Sequence, residues 1–199
     1  MHGPGDVRFF DRTTRLYDLV MPSTDPEPIR EAFSLADRPI ERLLDLGGGT
    51  GRASLALDGP SDPDDRLVAD ISRGMLGRAR DAGLRTVECD ARRLPFRNGS
   101  WDAVVVVDAL HHMPDPGVVY REVERVLAPG GVFVVRDFDP SSVRGWALAL
   151  GERVVGFGSR FATPDALAEE ISTAGFETRV LDRGFTFTVA GRKRGSQEG

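Results

Sequence analysis

Apolar residues fall into short runs, each bounded by glycine, proline or acidic residues. Residues 42–46 (Arg-Leu-Leu-Asp-Leu), 66–70, 84–89 and 132–135 are runs of strand length. Residues 101–107 (Trp-Asp-Ala-Val-Val-Val-Val) are apolar almost without interruption, as a central parallel strand needs when both faces are covered. Between these runs the period lengthens. Ile29, Ala32, Phe33 and Ala36 recur at helical spacing within 27–36. Residues 52–57 read as the first turns of a helix. Residues 114–127 predict another, with Val118, Val119, Val123, Val126 and Leu127 on its apolar side and Ala-Pro-Gly-Gly at 128–131 as its stop. Thr163 and Pro164 open a helix that runs to Ala174 and ends at Gly175. Residues 176–181 and 185–189 alternate and predict a hairpin through Asp182-Arg183-Gly184. Strands alternating with helices predict an α/β, doubly wound, Rossmann-like architecture.

One domain is expected over 1–199: an N-terminal helical segment at 1–40, a core at 41–190 and a flexible tail at 191–199. Phe9, Phe10 and Tyr17 within 6–20 suit either a lid over the ligand site or ordinary packing. Residues 137–160 are less regular and follow the carboxyl end of a strand, so they are expected to cap the substrate side. A length of 199 residues allows a sizeable core. A net charge of −5 argues against general nucleic-acid binding, which depends on neutralising phosphates with Lys and Arg. The single cysteine, Cys89, excludes an intramolecular disulfide and a Cys-rich zinc site. It has no neighbouring His and reads as a small buried residue. No apolar run is long enough to span a membrane, the N-terminus lacks a signal-peptide core, and a cytoplasmic location is expected.

The chemistry concentrates at 45–52, Asp-Leu-Gly-Gly-Gly-Thr-Gly-Arg. A strand runs into a turn with almost no side chains and then into a helix, the usual cradle for a nucleotide. Spacing decides which one. The dinucleotide pattern G-x-G-x-x-G would place its third glycine on position 52, which is Arg52. What stands here is D-x-G-x-G-x-G: Asp45, Gly47, Gly49 and Gly51. Asp70 follows about twenty residues beyond the turn, where a ribose-binding carboxylate is expected. Ser72 can cap the next helix and leave Asp70 for a ligand.

These motifs resemble those of the class I S-adenosylmethionine (SAM) methyltransferases. So do Trp101-Asp102 followed by an apolar run and Leu110-His111-His112, and Val126-Leu127-Ala128-Pro129-Gly130-Gly131. The likeness covers about 42–189. It implies a seven-stranded sheet, mostly parallel with an antiparallel last strand. It implies SAM as cofactor and S-adenosylhomocysteine (SAH) as product. It also implies that Asp90 accepts from the adenine amino group, that the Ala91 backbone meets the ring, and that Ile71 and Met75 pack near the adenosine. Either of the last two equally suits a core position. The N-terminal segment loosely resembles that of quinone C-methyltransferases.

Charge gives an independent argument. Asp45, Asp70, Asp90 and Asp108 all fall at strand ends on the expected ligand side. Four carboxylates repel phosphates but favour a sulfonium and an ammonium. Arg52 or the helix start is placed to meet a methionyl carboxylate. His111 and His112 are the candidates for a general base, if the acceptor must lose a proton. The other reading makes one a packed structural residue and the other a hydrogen-bond donor. The chain lacks an Asp/Asn-Pro-Pro-aromatic signature and a Pro-Cys nucleophile, so the expected acceptor is a small molecule and not a nucleic acid. No metal site is expected. A non-catalytic SAM-binding scaffold stays open as the second reading, and an NAD-dependent oxidoreductase as a third.

Overall fold

The computed structural model describes residues 24–142 and 160–195. The lid expected at 6–20, most of the insertion expected at 137–160 and the last residues of the tail lie outside them. The described elements are α1 (Glu27–Phe33), β1 (Arg42–Leu46), α2 (Arg52–Ala56), β2 (Asp65–Asp70), α3 (Arg73–Asp81), β3 (Arg85–Glu88) and β4 (Trp101–Val107). A 3₁₀ turn (Leu110–His112), α4 (Pro116–Val126), β5 (Leu127–Phe138), α5 (Pro164–Thr173), β6 (Phe176–Asp182) and β7 (Thr186–Lys193) complete the order. One seven-stranded sheet runs β3-β2-β1-β4-β5-β7-β6. β1, β2, β3, β4 and β5 pair in parallel, and β7 is antiparallel to both β5 and β6. The order reverses between β1 and β4, and that switch point is where doubly wound sheets bind ligands.

The period of two along the central strands sorts side chains between the faces. Leu44, Leu46, Val104, Val106, Phe133 and Val135 share one core with Val119 and Val123 of α4 and Leu167 and Ile171 of α5. Leu43, Ala103, Val105, Val132 and Val134 share the opposite core with Ile29 and Ala32 of α1. Both faces are therefore covered, as the unbroken apolar run at 101–107 requires. The caps expected from sequence form: Met75 N–H donates to Ser72 Oγ at 3.2 Å, and Ala166 N–H donates to Thr163 Oγ1 at 3.4 Å. Among the described residues no helix is long and apolar enough to cross a membrane.

Helix α4 stops at Val126, as residues 128–131 predict, but β5 starts earlier than the expected 132: residues 127–131 already belong to it. Trp101 pairs with Leu127 and Ala103 with Val132, so the register shifts between them. A Cβ on Gly131 would lie 2.7 Å from the Asp102 carbonyl oxygen, and Gly130 has φ +74°. The glycines serve an irregular strand start packed closely on β4.

Candidate functional site

A cavity of about 140 Å³ opens at the carboxyl ends of β1, β2 and β4. Residues 47–50 form one wall. Gly47 has φ +69°, and a Cβ there would lie 2.7 Å from Met113 Cε and 2.9 Å from Ala109 Cβ. Only glycine supplies both that backbone conformation and that clearance. Gly47 N–H donates to Ala69 O at 2.7 Å, tying the turn to β2.

Asp70 bridges two backbone segments. Its Oδ2 accepts from Gly49 N–H at 2.9 Å and its Oδ1 from Ser72 N–H at 2.8 Å. Ser72 caps α3, as expected, and Asp70 lines the cavity. Ile71, Met75, Asp90 and Ala91 line it too; Ile71 is 43% exposed and Met75 is buried. Asp90 is held by Arg92, whose Nη2 lies 2.7 Å from Oδ2 and whose N–H donates to Oδ1 at 2.9 Å. Cys89 lines the same wall. Burial, then the Asp70 and Asp90 charges, push its thiol up to about 11, so it stays protonated at neutral pH.

Asp108 closes the opposite side. It follows β4 at φ +52°, an unusual conformation for a residue with a side chain, and pairs with Arg52 at 3.4 Å. Burial raises its carboxyl pKa above the ordinary value, Asp137 adds to that, and Arg52 opposes it.

Two of the residues expected at the cofactor do not reach the cavity wall. A Cβ on Gly51 would collide with Leu84 Cδ1, so this glycine, at φ +83°, serves close packing below the turn. Asp45 is fully buried against Gly48, where a Cβ would lie 2.5 Å from its Oδ1. Its Oδ2 accepts from Ser54 Oγ at 2.7 Å and from Ser54 N–H at 3.2 Å, while Oδ1 has no hydrogen-bond partner. Desolvation pushes this carboxyl up to about 6 against the pull of the Ser54 hydrogen bonds. Ser54 is the partner that pattern reading missed; it lies one turn into α2, where only the folded turn brings it under Asp45.

The two histidines part company. His112 lines the 140 Å³ cavity. His111 is buried on a second, smaller cavity, its Nδ1 2.7 Å from Asp137 Oδ1. Asp137 was read as the start of a loop. Its signal was a carboxylate near the end of an apolar strand, the same signal that marked Asp45, Asp70 and Asp108.

The cradle suits SAM. Bare backbone faces the cavity at Gly47, the carboxylates of Asp70, Asp90 and Asp108 line it, and the unpartnered buried Asp45 Oδ1 lies beneath the turn. A pyrophosphate would face Asp70, Asp90 and Asp108 across the same space.

Comparison with known proteins agrees with this reading. A methyltransferase domain family model matches residues 44–135. A demethylmenaquinone methyltransferase of Thermus thermophilus is 32% identical over 178 residues, covering 75% of this chain and 81% of that protein. One from Beutenbergia cavernae is 39% identical over 143 residues, covering 68% of this chain and 59% of its own length. The chain therefore spans about three fifths of that longer relative. The solved structure of a SAM-dependent methyltransferase from Thermotoga maritima superposes with a TM-score of 0.76, covering 94% of this chain and 99% of that one at 21% identity. The chain belongs to the class I SAM-dependent methyltransferases.

Proposed function

We propose that this chain methylates a small molecule, and that the acceptor is a hydroxylated aromatic ring of the quinol type. The observation that carries the first half is the wall of the larger cavity, bare backbone at 47–49 facing Asp70, Asp90 and Asp108. The second half takes its support from the relatives named for demethylmenaquinone methylation. Bound SAM supplies a methyl carbon already activated by a sulfonium.

The chain's residues bind, orient and shield. In this reading Asp70 accepts from the two ribose hydroxyls; its hold on Gly49 and Ser72 N–H supports that role by fixing the carboxylate at the cavity. Asp90 and the Ala91 backbone take the adenine edge, with Ile71 and Met75 against its faces. Arg52 meets the methionyl carboxylate. Asp108 and the buried Asp45 add negative charge near the cationic end. His112 stands at the same cavity and faces the acceptor. The acceptor must be held roughly 3–3.5 Å from the methyl carbon and in line with it.

Incubating the full chain with methyl-labelled SAM and 1,4-dihydroxynaphthalene tests this. Label is expected in the ring product, with SAH released in equal amount. SAM binding without turnover on any of a panel of quinols, phenols and amines would favour the scaffold reading.

A further inference from the structure

Met113 lines both the larger cavity and a second one of about 20 Å³. That is room for one oxygen-sized group and not for a ring. The small cavity is set in the largest apolar core, against Leu110, Leu167 and Phe187. Yet five polar side chains, His111, Tyr120, Asp137, Arg160 and Glu170, share that mostly apolar lining. His111 and Asp137 have side chains only 2% and 8% exposed and meet at 2.7 Å. Asp137 Oδ1 also accepts from Phe138 N–H at 2.8 Å, and Phe161 stacks on the His111 ring with centroids 4.4 Å apart. Opposite them the Tyr120 hydroxyl donates to Glu170 Oε2 at 3.1 Å, and Arg160 Nη2 pairs with Glu170 Oε1 at 2.7 Å. Stability does not call for such groups, because well-packed apolar residues in their place are usually no less stable.

The His111–Asp137 geometry has a chemical consequence. A carboxylate on Nδ1 fixes the tautomer that carries its proton there and makes Nε2 the basic nitrogen. It also stabilises the imidazolium that forms when Nε2 takes a proton.

We propose that the small cavity is an acceptor subsite: it receives one ring hydroxyl, and His111 Nε2 removes that hydroxyl's proton. The O–H bond breaks and its electron pair stays on the acceptor oxygen. The proton moves to Nε2, leaving an imidazolium against the Asp137 carboxylate and an electron-rich ring facing the larger cavity. His111 is then the catalytic residue and Asp137 its positioning residue. The unbranched Met113 side chain is the partition that yields as the ring spans the two cavities. This inference rests on the methyltransferase reading and narrows it to acceptors with an ionisable ring hydroxyl. Among the described residues, the charged and titratable groups facing the pair are Asp108 after β4, Tyr120 on α4, and His112; behind these, Arg52 on α2 and Arg136 on β5 act on Asp108, and Glu170 on α5 and Arg160 act on Tyr120.

The test uses the full chain loaded with SAH and titrated with 4-nitrocatechol, whose ionisation is read in its visible absorbance. SAH binding is measured first by calorimetry; its failure would sink the methyltransferase reading itself, and this inference with it. With SAH bound, the nitrocatechol is expected to bind and to ionise at least about tenfold more readily than in water, a shift of about one pH unit. Asp137→Asn and His111→Gln are expected to abolish that shift while SAH affinity stays within about twofold, and Asp137→Glu to restore part of it. With a methylatable catechol and SAM, Asp137→Asn is expected to lower kcat by about 100-fold with little change in KM for SAM. Three results would overturn the proposal. The wild-type chain loaded with SAH ignores the probe; the bound probe ionises as in water; or both variants that retain SAH binding shift it as the wild type does. The wild-type measurement stands alone should a variant fail to fold.

Discussion

Asp45 carries a carboxylate where water does not reach, and its replacement by Asn has a calculable effect. The unfolded chain releases this proton near the ordinary aspartate value of 3.8 and the folded chain at about 6. Between those values the native state holds a proton that the unfolded state has lost. Stability therefore falls as pH rises through the window and levels off above it. The difference is about two pKa units, which at 1.36 kcal/mol each is about 3 kcal/mol. Asp45→Asn removes the titration and keeps an amide oxygen for the Ser54 hydroxyl and N–H. Most of that, about 2 kcal/mol, is expected to appear as a rise in the stability of the variant relative to wild type between pH 4 and pH 7. Urea denaturation of both proteins at half-unit pH steps measures it, since every other titrating group cancels in the difference. A difference that stays constant from pH 4 to 7 would show that Asp45 is not the desolvated acid described here. The burial penalty is the physical counterpart of the proposed role: a negative charge under a turn that is read as receiving a cation.

Gly47→Ala places a methyl 2.7 Å from Met113 Cε at a backbone φ of +69°. It should lower stability by about 1–3 kcal/mol in thermal unfolding and weaken SAH binding as well. Asp70→Asn removes the charge that Gly49 and Ser72 orient, and SAM affinity should fall roughly 10- to 100-fold in equilibrium dialysis; unchanged affinity would take Asp70 out of the site. Asp102 is buried between Arg38 at 2.9 Å and Arg42 at 3.1 Å. Burial pushes its carboxyl up, but the hydrogen bonds from Arg42 and the two guanidinium charges outweigh that and hold it below the ordinary range. Asp102→Asn should therefore cost about 3 kcal/mol at pH 7 in urea unfolding, and the deficit should shrink as pH falls below about 4 toward the depressed folded value.

How much of this was readable in the chain depends on how local each feature is. The strand at 101–107 and the Thr163 and Ser72 caps are set by neighbouring residues, and they appear where the pattern places them. The glycine turn was legible for the same reason. The role of Gly51 was not, because the atom it clears belongs to Leu84 across another loop. Pro129 and the two glycines marked the helix stop, which holds, but not the strand that begins at once at Leu127, because its pairing depends on close contact with the Asp102 backbone of another strand. Asp45 shares a face with Leu43 by strand alternation, which places it under the turn rather than in it. The adjacent histidines line different cavities although their ring centroids lie only 4.1 Å apart. That one of them would find Asp137 depends on β5 lying beside β4, a long-range pairing that no short window contains.

The central claim is that the cavity over the glycine turn takes a cationic, phosphate-free adenosine compound. Calorimetric titration of the full chain with SAM and, in parallel, with NAD tests it most directly. One-site binding of SAM, with no heat from NAD and no competition by NAD against SAM, is the expected result. NAD binding that displaces SAM, or no SAM binding at all, would contradict it.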